Sequence, residues 1–318
     1  MLLSSLFLQG QPKIIFDTDL GGDADDLGAL AMLHHFMERN ECELLGVMCW
    51  STEKYAVPAI DAVNRYYGHP DIPIGVRKGE THVSDWNYTR PLAERFPFHL
   101  DQEKAPDATT LYRELLSASP DHSVVLVTVG PLKNIEELIR SGPDSYAPLT
   151  GAQLIKQKVK EAVIMGGQFP EGSNEWNFNG DMPGVTRFVL ENLPVPVTFT
   201  GYEVGVQIKT GEVFNQLPEH HPLYVGFMHF SQNAPWMKEQ FKGQILDNST
   251  FDQTAVLYAV RKGTGTYWTL SERGTCLADD HGGNRWQADI NGTHAYLKLQ
   301  MDPDSLAHVI ESIMLNTF

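Results

Sequence analysis

Apolar runs and helical stretches alternate along this chain. Residues 13–16 are a short apolar run that leads into acids and glycines, and residues 27–37 follow with apolar positions at helical spacing (Leu27, Leu30, Leu33, Met37). Residues 43–49 read as a second buried strand, 56–67 as the helix after it, and 72–76 as a third short strand. Residues 123–129 are a β-branched run of the kind buried on both faces of a parallel sheet, and Pro131 opens the helix predicted at 132–140. Two more such runs stand at 159–165, before Gly166-Gly167, and at 194–200. Strands alternating with helices across short Gly- or Pro-containing turns predict an α/β fold: a mostly parallel central sheet with helices on both faces, open and Rossmann-like. Residues 81–106 are polar, aromatic and irregular, and read as a long loop near the site. After Gly263 the rhythm stops. The pattern there becomes a terminal hairpin, 267–289 with 295–300, and a last helix at 303–315.

No repeat, low-complexity tract or linker divides the chain, so residues 13–318 read as one domain behind a leader or frayed N-terminus at 1–12. The apolar stretch 2–8 fits a signal-peptide remnant or a frayed leader equally, which leaves the compartment open between cytoplasmic and exported. At 42% hydrophobic and 20% charged residues the composition is that of an ordinary globular protein, and no apolar stretch reaches the ~20 residues that span a bilayer. A formal charge of −16 argues against a nucleic-acid partner, whose phosphates need clustered Lys and Arg. It suits a small neutral substrate or a divalent cation. Cys42, Cys49 and Cys276 form no metal-type spacing and read as buried free thiols.

The informative stretch is Asp17-Thr18-Asp19-Leu20-Gly21-Gly22-Asp23-Ala24-Asp25-Asp26. These acids lie between a strand and a helix, at the carboxyl end of a strand, where open α/β sheets place ligands. Gathering like charges is unfavourable unless a cation offsets it, and hard oxygen donors without nearby His or Cys favour Ca²⁺ or Mg²⁺. Gly21 and Gly22 allow the turn that lets the acids converge. Helix capping accounts for one or two of the acids near residue 25, but not also for Asp17 and Asp19.

This run, with Ala29-Leu30 after it, resembles the N-terminal signature of the inosine–uridine-preferring nucleoside hydrolases, although the spacing before Asp25-Asp26 is longer than in the compact form. Val129-Gly130-Pro131-Leu132-Lys133-Asn134, Met165-Gly166-Gly167, Glu175-Trp176-Asn177 with Asp181 beyond, and Asp252 before an apolar helix continue the resemblance in order. It implies hydrolysis of the N-glycosidic bond of a ribonucleoside, releasing ribose and base. Asp19, Asp26, Asp252 and the carbonyl of Val129 would hold Ca²⁺, and Asp19 would take the proton of the attacking water. Asp25, Glu175, Asn177 and Asp252 would bind the ribose, with Asp25 at the 2-hydroxyl and Glu175 and Asn177 at the 5-hydroxyl. Asp17 would orient its neighbours. The resemblance also implies a homo-oligomer, dimer or tetramer. From the residues alone, Asp252 also fits an N-cap for a helix at 253–260, and Glu175 and Asn177 a simple turn.

Two positions depart from the family pattern. Phe251 stands where purine-acting members have a His that protonates the leaving base, and His82 and His99 are the candidate replacements. Ser51 or Thr52 stands near where a ribose-binding Asn belongs. Trp50, Trp86, Tyr88, Trp176 and Trp236 are candidates to stack on a base. Two other readings compete: a ribose- or Ca²⁺-binding relative without catalysis, and a haloacid-dehalogenase-like phosphotransferase with Asp17 as nucleophile.

Overall fold

In the computed structural model, which describes residues 10–79 and 84–317, an eleven-stranded sheet forms the centre. In chain order the strands are β1 (Lys13–Thr18), β2 (Glu43–Cys49), β3 (Ile74–Val76), β4 (Val124–Thr128), β5 (Val159–Met165), β6 (Glu171–Gly172), β7 (Val197–Thr200), β8 (Lys209–Thr210), β9 (Asn248–Ser249), β10 (Trp268–Leu270), β11 (Gly274–Ala278), β12 (Asn284–Ala288) and β13 (His294–Leu299). The helices are α1 (Asp25–Glu38), α2 (Ala56–Tyr66), α3 (Thr89–Arg95), α4 (Ala108–Ala118), α5 (Lys133–Arg140), α6 (Gly151–Lys158), α7 (Trp176–Asn179), α8 (Val185–Asn192), α9 (Tyr202–Gly205), α10 (Pro222–Asn233), α11 (Asp252–Arg261) and α12 (Pro303–Met314).

The sheet runs β3-β2-β1-β4-β5-β7-β13-β11-β12-β6, with β10 as the eleventh strand branching onto β13, and with β8 and β9 paired apart from it. From β3 through β7 to β13 every pairing is parallel, as the apolar runs predict. Strands β1 and β4 are buried along almost their whole length because helices cover both faces, and the two cores are the two helical layers. On one side Phe16, Val47 and Val127 meet α1, α11 and α12, and on the other Ile15, Leu126 and Ile164 meet α4, α5 and α6.

The predicted strands and helices are present with shifted ends. Helix α1 begins two residues earlier than its apolar spacing suggests, which puts Asp25 and Asp26 in its first turn. Two expectations are corrected. The loop expected at 81–106 contains helix α3, which packs on α2 and α10. The terminal hairpin is more elaborate than expected: β13 does pair antiparallel with β10 and with the start of β11, but β11 also forms its own hairpin with β12, and the other edge of β13 lies parallel to β7 and extends the main sheet. The three cysteines are free and buried, as expected. The apolar stretch 2–8 lies outside the described residues, and among those described no helix is long and apolar enough to cross a membrane.

Candidate active site

The carboxyl ends of β1, β2, β4 and β5 open into a cavity of about 730 Å³. Asp19, Asp23, Asp25, Asp26, Glu175 and Asp252 line it, and no Lys, Arg or His does so among the described residues. Asp25, Asp26 and Asp252, all buried, each present an oxygen within 4.8 Å of the others, an arrangement able to hold a metal ion. The chain brings these acids together from its two ends. Residues 25 and 26 open α1, and residue 252 opens α11, which packs along α1.

The joint between those helices is a shared cap. One oxygen of Asp25 accepts the backbone N–H groups of Phe251 and Asp252, both at 3.2 Å, while the Asp252 side chain makes no capping bond. The N-cap expected of Asp252 is therefore supplied by Asp25 from the other helix, and the Asp252 carboxylate is left to the cavity. Thr18 donates its hydroxyl to Asp26, and Asn248 donates to Asp23 at 2.5 Å. Asp19 stands at the cavity wall, half-buried, where its Oδ2 accepts the indole N–H of Trp176 at 3.3 Å. Two glycines permit this crowding. Gly21 has φ 132°, and a Cβ there would fall 2.4 Å from the Asn87 amide. A Cβ on Gly130 would lie 2.8–2.9 Å from the Asp19 carboxylate, so the backbone after β4 can touch Asp19 only as glycine.

Without a cation these carboxyls are hard to ionise together. Burial pushes Asp19 up to about 7 and Asp25 to about 6. Burial, and then the charges of the neighbouring aspartates, raise Asp26 and Asp252 well above the ordinary carboxylate range.

The remaining residues of the sequence reading are placed as follows. Val129 lines the cavity, and its carbonyl accepts the Asn177 amide N–H at 2.8 Å. Asn177 also donates to the Met165 carbonyl at 3.2 Å. Glu175 caps the short helix α7: its oxygens accept backbone N–H groups of Asn177, Gly167 and Phe178 at 2.8–3.1 Å. Asp17 points away from the cavity, held by Tyr112 at 2.7 Å and Asn134 at 3.1 Å, and its backbone carbonyl accepts the Val129 N–H at 2.8 Å. An aspartate so enclosed cannot serve as a phosphotransferase nucleophile, and that reading is set aside.

Ser51 lines the cavity. His99 is exposed and outside the cavity lining, with its backbone N–H tied to Asp61, so it cannot protonate a leaving group; His82 lies outside the described residues. Of the aromatic candidates, Trp50, Trp86, Trp176 and Trp236 line the cavity, whereas Tyr88 is packed in the core. Trp86 and Trp236 meet edge to face at 5.4 Å. Sequence reasoning missed Tyr202, whose ring stacks on Phe251 at 5.4 Å and 24°, and Asn87, which fills the space above Gly21. Residue 202 opens α9 and residue 251 is the N-cap before α11, so no local pattern links them.

A comparison of the sequence with curated proteins finds no match. Among solved structures the fold is similar to a plant nucleoside hydrolase (TM-score 0.70, 15% identity, covering 95% of this chain and 98% of that one). It is also similar to the inosine-uridine preferring nucleoside hydrolase of Bacillus anthracis (0.67, 15%, 96% and 99%) and to an inosine-guanosine nucleoside hydrolase (0.67, 19%, 95% and 98%). The family model for inosine-uridine preferring nucleoside hydrolases matches residues 14–307, a span that takes in the β1 acids, the Val129 and Met165 strand ends and Asp252 alike. The chain belongs to the inosine-uridine preferring nucleoside hydrolase family, enzymes that hydrolyse N-glycosyl bonds.

Proposed function

We propose that this protein hydrolyses a ribonucleoside to ribose and free base with Ca²⁺ held among the acids of the cavity. One observation carries the reading: Asp25, Asp26 and Asp252 converge within 4.8 Å inside a cavity whose charged lining, among the described residues, is entirely acidic. Oxygen donors alone, from carboxylates and a backbone carbonyl, fit a hard cation of flexible coordination. Asp26, Asp252, Asp19 and the Val129 carbonyl would hold it. When bound, the ion makes water easier to deprotonate and anchors sugar hydroxyls.

The chain's own groups supply the rest. Asp19, its Oδ2 steadied by Trp176, takes the proton of the attacking water. Asp25 has one oxygen committed to the α11 cap, so its other oxygen meets the cation or the ribose 2-hydroxyl. Glu175 and the Oδ1 of Asn177 receive the 5-hydroxyl, since the Asn177 Nδ2 is already spent on Val129 and Met165. Carboxylates around the sugar also stabilise the positive charge that develops as the bond breaks. The substrate is a small nucleoside. A homo-oligomer, dimer or tetramer, belongs to the same proposal.

The test is a reducing-sugar assay on a panel of ribonucleosides, with calcium and then with excess chelator. Release of ribose that stops on chelation and returns with calcium supports the reading. Saturable ribose or nucleoside binding with no release would instead make the protein a binder. Undiminished release under chelation would remove the cation from the reaction.

A further inference from the structure

We infer that the base-binding part of the cavity is built for a ribonucleoside whose base carries a fixed positive charge, such as an N-ribosylated pyridinium. The inference rests on the proposed ribohydrolase activity and specifies its substrate class. All charged lining residues described are acidic, six carboxyls in all, so no fixed positive charge there opposes a cationic base, and each acid that a bound divalent ion leaves ionised attracts one. The same cavity is walled by aromatic rings. Trp176, Tyr202 and Trp236 remain 42%, 41% and 49% exposed, an unusual amount for large rings. Ring faces beside carboxylates are the chemistry that recognises quaternary nitrogen. The acids and rings adjoin one another: Trp176 bonds Asp19, Trp86 bonds the Gly22 carbonyl, and Phe251, stacked on Tyr202, directly precedes Asp252.

The reaction suits such a base. The water oxygen bonds to C1′, the C1′–N bond breaks, and its electron pair stays on the ring nitrogen. A cationic base leaves neutral and needs no proton, while the proton shed by water passes to an aspartate and on to solvent. A neutral base must leave as an anion or collect a proton, and apart from the acids the one titratable side chain in the described lining is Tyr202.

The test compares ribosylnicotinamide, its neutral 1,4-dihydro form, p-nitrophenyl riboside and inosine on the full chain in calcium. In stopped-flow mixing followed by tryptophan quenching, the cation should bind about tenfold tighter than the dihydro form of the same shape. High salt should shrink that gap, because the attraction is screened. Trp236→Leu should weaken the cation more than its neutral counterpart. In turnover, kcat/KM for the cation should exceed that for inosine by on the order of 10²–10⁴, the usual worth of a general acid. Equal affinity for the charged and neutral forms overturns the inference. So does inosine turnover within tenfold of the cation, the outcome expected if Tyr202 protonates the base. If no riboside is cleaved, the ribohydrolase reading falls, and the binding comparison alone decides this one.

Discussion

Asp26→Asn separates the penalty of the acid cluster from its use. Asparagine keeps the oxygen that accepts from Thr18 and removes one charge from the trio. Two carboxylates 4.8 Å apart at an effective dielectric of ~20 repel by about 3.5 kcal/mol. The rise of Asp25 from 3.8 to about 6, for which burial is the first cause, corresponds to about 3 kcal/mol, the same order. Protons already shared among the acids relieve part of this. The expected gain for the variant in chelator at pH 8 is therefore about 1–3 kcal/mol, or a Tm rise of ~1.5–4.5 °C. Calcium at a hundredfold excess over its Kd should stabilise the wild type by about 2.7 kcal/mol and leave the variant almost unmoved. The order of stability thus reverses between the two buffers. The sign of the pH effect agrees: native carboxyls raised to about 6 and 7 take up protons that the unfolded chain does not, so the metal-free wild type gains stability as pH falls through 7 and 6. Calorimetry in chelator and in calcium is the assay. A variant less stable than wild type in chelator, with an equal calcium shift in both proteins, would refute the reasoning.

Three further outcomes are expected. Asp19→Asn should lower kcat by at least ~10² with the fold intact by circular dichroism, as loss of a general base does, and unchanged turnover would assign the proton to another group. Gly130→Ala places a methyl carbon 2.8–2.9 Å from the Asp19 carboxylate, so kcat should fall by ~10-fold or more from a misplacement of under an ångström; a normal rate would show that Asp19 moves freely. Because protons compete for these raised carboxyls, apparent calcium affinity should climb with pH and fall by about tenfold per pH unit for each proton displaced; titration calorimetry giving equal affinities at pH 8 and 6 would contradict this.

The parallel strands were legible because burial on both faces leaves continuous β-branched runs such as 123–129. Several helices went unread although their starts were written in the chain: Asp107 caps α4, and Thr150 and Gln153 form a reciprocal capping box on α6. Helix α3 has no side-chain cap, and its surroundings are aromatic and polar, so nothing local announced it. In the site, five carboxylates in ten residues are visible in any reading of charge. What joins them is not. The cap that Asp25 gives to α11 spans more than two hundred residues, and the Tyr202–Phe251 stack joins the start of α9, just after β7, to the N-cap of α11. Gly130 shows the same limit: its motif was recognised, but the reason for a glycine there is Asp19 lying against it.

The Asp25–Asp252 joint has a consequence for how the protein matures. Its two halves are 227 positions apart, and the strand completing the parallel run, β13, comes later still. Closing so long a loop is entropically late, and contacts of this separation slow folding. During synthesis the N-terminal acids therefore emerge with β1 long before their partner exists, and a nascent chain has no complete pocket in which to capture an ion. An ion held by all three acids can be captured only after α11 has closed onto α1. Until then, the unneutralised carboxyls work against the closing of α11 onto α1, and a cation bound among them would act as the latch on a nearly finished molecule.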